Sequence, residues 1–408
     1  MVHETRVSIG CLHCGLRVFP QPSRVRIVVS YEPEHGRRRV VDDELHRLQL
    51  NLHPNEASGL LAIEDTPLLE ARGWELAFWA VLDEGEIENC VAIIGHRRGV
   101  DISQGWEIER LRAEPLGGAA GQTEDAEAVT RQGTWIYIFG SHFGGKGGPL
   151  QPKRGFVARF READARHADR ALGMEISRES FLVHRLINDA LRARGPDLVP
   201  LGEASRAALI EATIERGRSE NASWAGLVRE GDYPINVEGA AFRESGTLLL
   251  GLRFPVAAGG RPVLVEVEGI ERLFEPGNKP PQILGFWVVD AVGREGEIAG
   301  VRDLALLDTA DGEELHLVTG NVDSRDRESV LVRDYPGGRH TVATHFRSIL
   351  PPGAHSGSID AEFVREFPDL PRVEGIAITA GGRFFYVTDE DEGVHLRLTR
   401  LLADQNTG

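Results

Sequence analysis

Acidic side chains recur at the beginnings of short apolar runs along this chain. Glu127, Glu238, Asp303 and Glu374 each open, or stand next to, a run that has the length of a β-strand. Carboxylates that meet at one place repel one another, and Ca²⁺, a hard cation with six to eight oxygen ligands, relieves that repulsion. We predict these four side chains as ligands of Ca²⁺. The alternative is that each one caps a turn and accepts backbone N–H groups.

Further acidic residues stand near the same predicted strand ends. Glu56 lies close to the first apolar run, and later runs are followed by Asp83, Glu84, Asp389, Glu390 and Asp391. If the strand ends converge, these carboxylates enlarge the acidic set and strengthen the prediction of a cation.

A glycine-rich segment follows the apolar run that ends at Gly140. It begins with Ser141 and His142 and continues through Lys146 to Arg154. Glycine lets backbone amides approach an anion closely, and histidine titrates near neutral pH. We predict an anion site in which His142 is the general acid or base and Lys146 and Arg154 supply positive charge. The alternative is a plain hairpin loop with a locally satisfied serine.

Two arginines stand among the predicted acidic strand ends. Arg253 ends a run in residues 251–255, and Arg302 precedes Asp303. A guanidinium in this setting either holds carboxylates in place or binds a phosphate or carboxylate in bidentate fashion. We predict Arg253 as the fourth member of a catalytic set with His142, Lys146 and Arg154. Cys11 and Cys14 form a lone Cys-x-x-Cys without the second pair of a structural zinc site, so we expect reduced thiols there.

The elements that must position these residues are strands in a repeat. Pairs of apolar runs joined by turn residues return five times, at intervals of roughly 70 residues except between the second and third copies. That longer interval shows helical spacing in residues 179–191 and 203–216. We therefore predict an all-β fold, a β-propeller of five four-stranded blades, or of six if a blade lies within the long interval.

In this prediction residues 1–408 form a single propeller domain, and residues 163–219 are a helical insertion between the second and third repeats. The run at residues 24–30 completes the last sheet and so removes exposed edges. Residues 329–335 are predicted as a strand of the fourth repeat. The acidic strand beginnings then converge on the propeller axis.

Bulk composition narrows the partners. The chain has 408 residues and a formal net charge of −17, which disfavours a nucleic-acid partner and leaves a small anionic molecule or a protein. No run of eighteen apolar residues occurs, so no membrane partner is expected. The N-terminal residues lack a signal-peptide profile, and cytoplasmic localisation is the expectation.

Several of these motifs together resemble a bacterial family known only as a domain of unknown function. They are Gly140-Ser141-His142 with Lys146 and Arg154, then Val237-Glu238-Gly239, Gly251-Leu252-Arg253-Phe254-Pro255 and Val301-Arg302-Asp303-Leu304. The resemblance implies a propeller that is distantly similar to esterase-like phytase and gluconolactonase-type propellers. Those relatives hold divalent cations, often Ca²⁺, with axial carboxylates, and some hydrolyse phosphate or lactone esters.

By this resemblance, Glu127, Glu238 and Glu374 match the strand-start glutamates, and Asp303 stands at the corresponding place in its repeat. The first repeat has Ser58 where a glutamate would stand. Two functions are therefore expected: a divalent-cation-dependent hydrolase of phosphate or other esters at the central channel, or a non-enzymatic propeller that binds a ligand or a protein.

Overall fold

The computed structural model of the chain divides into two compact units, Met1–Asp42 and Asp43–Gly408. The residues that it describes are 16–21, 24–29, 46–50, 57–83, 85–118, 121–275, 277, 279–290, 292, 296–310, 312–323, 329–368, 370, 372–379, 382–388 and 394–400. The predicted domain of residues 1–408 spans both units.

The first unit contains an antiparallel hairpin of β1 (Leu16–Gln21) and β2 (Arg24–Val29), with Gln21 opposite Arg24. The prediction that residues 24–30 complete the last sheet is wrong. The strand β2 instead pairs with its neighbour in sequence, which needs only a very short loop to be closed.

The described part of the second unit contains five sheets, numbered here in chain order. The first sheet holds β4 (Ala57–Ala62), β5 (Trp74–Leu82), β6 (Val91–Arg97) and β7 (Trp106–Leu111). The second holds β9 (Ala126–Gln132), β10 (Trp135–Gly140), β11 (Val157–Arg161) and β12 (Leu172–Ser177), with β8 (Ala113–Pro115) parallel to β12. The third holds β13 (Asn236–Phe242), β14 (Leu248–Ala257), β15 (Arg261–Glu268) and β16 (Gln282–Asp290), with β20 (Gly357–Asp360) parallel to β16.

The fourth sheet holds β17 (Gly300–Thr309), β18 (Gly312–Gly320), β19 (Ala343–Ile349) and β21 (Glu362–Phe367). The fifth holds β22 (Val373–Ile378), β23 (Arg383–Thr388), β24 (Val394–Arg400) and β3 (His46–Leu50). An N-terminal strand therefore does join the fifth sheet, as predicted. That strand is β3 and not residues 24–30, and its Leu50 lies opposite Val394 of β24.

Helices are short and lie between strands. The α-helices are Thr66–Arg72, Leu182–Arg194, Glu203–Ser205, Ala212–Ser219 and Val330–Asp334; a π-helix covers Arg206–Glu211; the 3₁₀ turns are Ile87–Asn89, Pro152–Arg154, Glu162–Arg166, Ile270–Phe274 and Pro336–Gly338. Among the described residues, no helix combines the length and the apolar character that crossing a membrane requires.

Two element predictions differ from the structure. The predicted insertion at residues 163–219 contains the expected helices, but it also contains β12, the fourth strand of the second sheet. Within residues 329–335, predicted as a strand, the structure has the α-helix Val330–Asp334. The Ser329 hydroxyl accepts a hydrogen bond from the Val332 amide at 3.2 Å, which is an N-cap that favours helix at this point.

The first strands of the five sheets, here called the inner strands, contact one another in the cyclic order β4, β9, β13, β17, β22 and back to β4. Glycine permits the close approach at several of these contacts. A Cβ atom on Gly59 would lie 2.9 Å from the Glu127 carbonyl oxygen, and one on Gly375 would lie 3.1 Å from the Gly59 carbonyl carbon. One edge strand of each sheet, the inner strand, therefore lies at a centre that the five sheets share.

Apolar cores fill the space between neighbouring sheets. Phe78 of the first sheet packs on Phe385 of the fifth with ring centroids 4.6 Å apart, and Trp79 packs on Phe160 of the second at 5.0 Å. These side chains are all fully buried, and each contributes roughly 1.5–3 kcal/mol by leaving water. The cores hold the sheets at the angles that let the inner strands meet.

Candidate functional site

The inner strands share one irregularity, a β-bulge near the beginning of each strand. In β9, for example, Ala126 and Ala128 pair with consecutive residues of β10, so that Glu127 is extra. The inner strand of every other sheet also has one extra residue at the corresponding place. The five bulge residues are Gly59, Glu127, Glu238, Arg302 and Glu374. The five positions are structurally equivalent, and four of them carry long charged side chains.

This equivalence confirms part of the predicted repeat register and corrects the rest. Glu127, Glu238 and Glu374 do occupy matching positions. In the fourth sheet the matching residue is Arg302 and not Asp303, and in the first sheet it is Gly59 and not Ser58. The alternation of apolar residues does not reveal a bulge. The alignment of the repeats from sequence was therefore wrong by one residue in the first and fourth sheets.

Arginines neutralise two of the predicted metal ligands. Arg302 lies 3.3 Å from Glu238 through Nη1 and contacts Glu374 through Nη2. Arg253 contacts the other oxygen of Glu238 at 2.9 Å and donates a second hydrogen bond to the Asn321 carbonyl. Arg302, Glu238 and Glu374 are all buried. The Arg302 guanidinium therefore supplies the positive charge that Glu238 and Glu374 would otherwise require from a cation.

Asp303 lies at a different kind of position. Its two carboxylate oxygens accept the Leu304 and Ile376 amides, each at 2.8 Å, and the second of these bonds links β17 to β22. Burial raises the pKa of Asp303 well above its ordinary value, although these backbone donors act in the opposite direction. The structure places this predicted ligand in a junction between inner strands.

Glu127 has a different environment from the other bulge glutamates. Its side chain is buried, with a residue exposure of 8%, and no hydrogen bond or ion pair to its carboxylate is found among the described residues. Burial raises the pKa of Glu127 well above its ordinary value, and the neighbouring carboxylates of Glu238, Asp125 and Asp83 raise it further. A buried carboxylate in this situation is costly unless it is neutralised by a proton or a cation.

Three carboxylates form a cluster around this point, here called the carboxylate trio. Oxygen atoms of Asp83, Asp125 and Glu127 all lie within 4.8 Å of one another. Asp83 follows β5 directly, and Asp125 directly precedes β9, so two adjacent sheets contribute. Asp83 and Asp125 are each partly exposed, whereas Glu127 is buried.

Hydrogen bonds fix Asp125 within the trio. Ser141 donates its hydroxyl to Oδ2 of Asp125, and Arg154 donates to the same oxygen at 2.9 Å. The Asp125 backbone has a φ of 69°, a conformation that aspartate tolerates better than most residues, and its carbonyl accepts the Ser141 amide. Burial raises the pKa of Asp125 despite the opposing charge of Arg154. No hydrogen bond to its other carboxylate oxygen, Oδ1, is found in the part of the chain that the structure describes.

The residues predicted as catalytic are not brought together in one group. Arg154 contacts the trio and Arg253 contacts Glu238, whereas Lys146 is exposed on the loop. His142 is buried, and neither ring nitrogen has a hydrogen-bond partner among the described residues. Burial, with a contribution from His184, lowers the pKa of His142 to about 3, so the imidazole is neutral at pH 7.

Three glycines of residues 140–148, namely Gly140, Gly144 and Gly148, are closely packed. A Cβ atom on Gly148 would lie 2.1 Å from the Ala208 carbonyl oxygen, and the Leu150 amide donates to the Thr213 hydroxyl at 2.9 Å. The loop therefore approaches the π-helix and the helix that follows it, and this contact requires glycine at residue 148. Gly145 and Gly147 have no atom within 4 Å of a Cβ position, so packing does not account for them.

Sequence reasoning singled out Glu127 as a ligand but did not assign that role to Asp125. The signal was present, since Asp125 and Glu127 are two residues apart where an inner strand begins and Asp83 ends the neighbouring strand. The other predicted acidic positions, Glu56, Glu84, Asp389, Glu390 and Asp391, and the thiols of Cys11 and Cys14, lie outside the described residues.

No family model matches the chain, and no curated protein matches it in sequence. Solved structures similar to it include a mannose phosphorylase from Leishmania mexicana (11% identity, 90% of this chain and 89% of that chain, TM-score 0.37). A glucose dehydrogenase (14%, 88% and 99%, 0.38) and a putative gluconolactonase (11%, 87% and 92%, 0.32) are also similar. At these TM-scores none of the three decides the activity of this chain, and the predicted family resemblance stays a prediction.

Proposed function

We propose that the five sheets are the blades of a β-propeller. Three observations support this: the inner strands contact one another cyclically, their bulges are equivalent, and one cavity is lined by all five of them. Five blades fit better than six, because the interval in which the six-blade alternative placed a blade supplies β12 to the second sheet and otherwise contains helices and irregular segments. The strand β3 would close the ring by completing the fifth blade.

The carboxylate trio is the cation site of this proposal. Carboxylate oxygens suit Ca²⁺, and the partly exposed Asp83 and Asp125 leave room for water or substrate as additional ligands. Glu127 is the member shared with the set predicted from sequence. Glu238, Glu374 and Asp303 are not cation ligands in this proposal, because guanidinium groups or backbone amides already contact their carboxylates. Their role is to stabilise the structure next to the site.

The reaction that such a site suits best is hydrolysis of a small phosphate ester or other ester. The bound cation would polarise an ester oxygen and orient a water molecule. Arg154, next to Asp125, would stabilise negative charge that develops on the substrate, as predicted for it from sequence. His142 would be a weak base because its pKa is about 3. A carboxylate is therefore the better candidate for the general base that accepts a proton from the bound water.

The observation that carries the proposal is the buried carboxylate of Glu127, which lies beside two other carboxylates and makes no hydrogen bond or ion pair within the described part of the chain. Calorimetric titration of the chelator-treated protein with Ca²⁺ tests it. The parent should bind the ion, and Glu127→Gln, which keeps the shape and removes the charge, should weaken binding at least tenfold. Glu124→Gln is the matched control, because Glu124 pairs with Arg154 but lies outside the trio. Equal affinity in the parent and Glu127→Gln would end the proposal.

A second function is favoured by what covers this end of the sheets. The helical residues Leu209 and Ile210 pack in one apolar cluster with Phe143 and Leu331, which follow second strands of the sheets, and with Phe254 of β14. At the same end of β14, Glu238 is buried and its partner Arg253 is only 13% exposed. This arrangement suits a ligand- or protein-binding scaffold in which the cation is structural. Such a protein would gain thermal stability from Ca²⁺ yet hydrolyse none of a panel of phosphate, carboxylate and lactone esters.

A further inference from the structure

A second feature lies on the inner strands, away from the charged ring. Further along each strand than its bulge residue, side chains line a cavity of ≈380 Å³. Every inner strand contributes, with Leu61, Val129, Ala240, Leu304 and Ile376 at the same distance from their bulges. This distal cavity lies in the size range of small-molecule sites, about 300–1,000 Å³. Neither of the functions proposed above uses it.

Most of the side chains that line the distal cavity are apolar, although polar atoms make up the larger part of its accessible surface. Leu61, Phe242, Leu306 and Ile378 line it while remaining partly exposed. Among the described residues, strongly exposed large apolar side chains are few, namely Val100, Leu116 and Ile349. A concave group of accessible apolar side chains on a surface otherwise this polar is typical of a ligand site.

One cation stands at the rim. Arg131 lines the cavity and donates to the buried Glu162 from Nε at 3.2 Å and from Nη2 at 2.6 Å, and Nη2 also donates to the Ala62 carbonyl at 2.9 Å. Its Nη1 atom faces Glu64 at 3.1 Å, and the Glu64 side chain is 77% exposed. A pair with a solvent-exposed partner contributes little energy, so another carboxylate can replace Glu64 at Nη1 at small cost.

The charges at the rim also limit the ligand. Asp308 lines the cavity and is exposed, so a second negative charge on a ligand would meet repulsion. We propose that the distal cavity binds a small apolar molecule that carries a single carboxylate. The apolar body would contact the inner strands, and the carboxylate would take the place of Glu64 on Arg131.

Displacement of a fluorescent probe tests this proposal with the full-length protein. The probe is 1-anilinonaphthalene-8-sulfonate, which has an apolar body and one negative charge. Octanoate should displace it at a concentration at least tenfold lower than octanamide, its neutral analogue. Glu64→Gln removes the competing carboxylate from an exposed site and should tighten octanoate binding about two- to fivefold.

A filling variant supplies the structural control. Ala305→Phe places a large side chain at a partly exposed lining position and should abolish probe binding, whereas Ala305→Ser should retain it. Two results would overturn the proposal: probe displacement by octanamide as effective as by octanoate, or octanoate binding unchanged by Glu64→Gln. The second variant alters an exposed residue, so the test does not depend on Ala305→Phe folding.

Discussion

Arg302 occupies the bulge position that carries glutamate in three of the other sheets, and it contacts two of those glutamates. Buried charges of one sign are tolerated only when they are paired, so this arginine is expected to matter more for stability than any surface arginine. No arginine of the described residues forms an ion pair with Glu127, although the charge of Arg302 acts on it from a distance, and this difference between equivalent positions is what points to a cation at the trio.

At this scale we expect Arg302→Met to destabilise the fold by about 3–5 kcal/mol, because it removes the guanidinium partner of the buried Glu374 and leaves the buried Glu238 with Arg253 alone. Urea denaturation measures the loss. Arg97→Met is the control, since Arg97 forms only an exposed pair with Glu107 and should cost less than about 1 kcal/mol. Similar losses in the two variants would show that the ring arginine has no special role.

At the scale of elements, the inner strands depend on glycine where they approach one another. A Cβ atom on Gly375 would lie 2.4 Å from a methyl group of Val387 and 3.1 Å from the backbone of Gly59. We expect Gly375→Ala to cost about 1–3 kcal/mol by forcing β22 away from its neighbours. Gly147→Ala, at a position with no atom within 4 Å, should change the midpoint of unfolding very little. Equal effects would contradict the close contact of β22 with β4.

The fourth and fifth sheets are joined by a buried hydrogen-bonded chain. Nδ1 of His316 lies 3.0 Å from Nε2 of His345, and Nδ1 of His345 lies 2.9 Å from the Tyr386 hydroxyl. Burial lowers the pKa of His316 to about 3 and that of His345 well below its ordinary value. Glu314, at 3.4 Å from His316, and Arg347 are the charged groups that face the outer histidine.

These depressed pKa values predict acid sensitivity. Between pH 6.5 and about 3 the unfolded chain binds protons that the folded His316 does not, so stability is complete above pH 6.5 and falls below it. Each such histidine adds up to about 1.4 kcal/mol per pH unit. Urea denaturation at pH 7.5 and at pH 5 measures the slope, which should become shallower in His316→Gln. Parallel pH profiles for parent and variant would contradict the assignment.

Sequence reasoning found the strands that build the inner ring and three of its charged residues, because strand beginnings carry recognisable Glu-Gly and apolar patterns. Among the elements that it missed, β12 and β3 have clear physical reasons. The strand β12 follows a polar turn and shows weak alternation, and β2 was chosen over β3 because its valine-rich pattern is the stronger strand signal. Pairing partners are decided by chain connectivity and packing, which a strand pattern does not contain.

At the scale of the whole molecule, the inner strands carry two features at different positions along their length. The charged ring of bulge residues, with the carboxylate trio beside it, lies near the strand beginnings, and the distal cavity lies further along. The sequence predicted the convergence of the glutamates but not the arginine among them, since the offset of one residue at Arg302 appears only when the strands are paired.

The most direct test of the central claim is an anomalous-difference map from crystals of the protein grown with Ca²⁺. The account predicts a peak bounded by Asp83, Asp125 and Glu127, with the ion absent from crystals of Glu127→Gln. A map with no peak at the trio under saturating Ca²⁺, or with an ion bound instead by Glu238, Asp303 and Glu374, would contradict it.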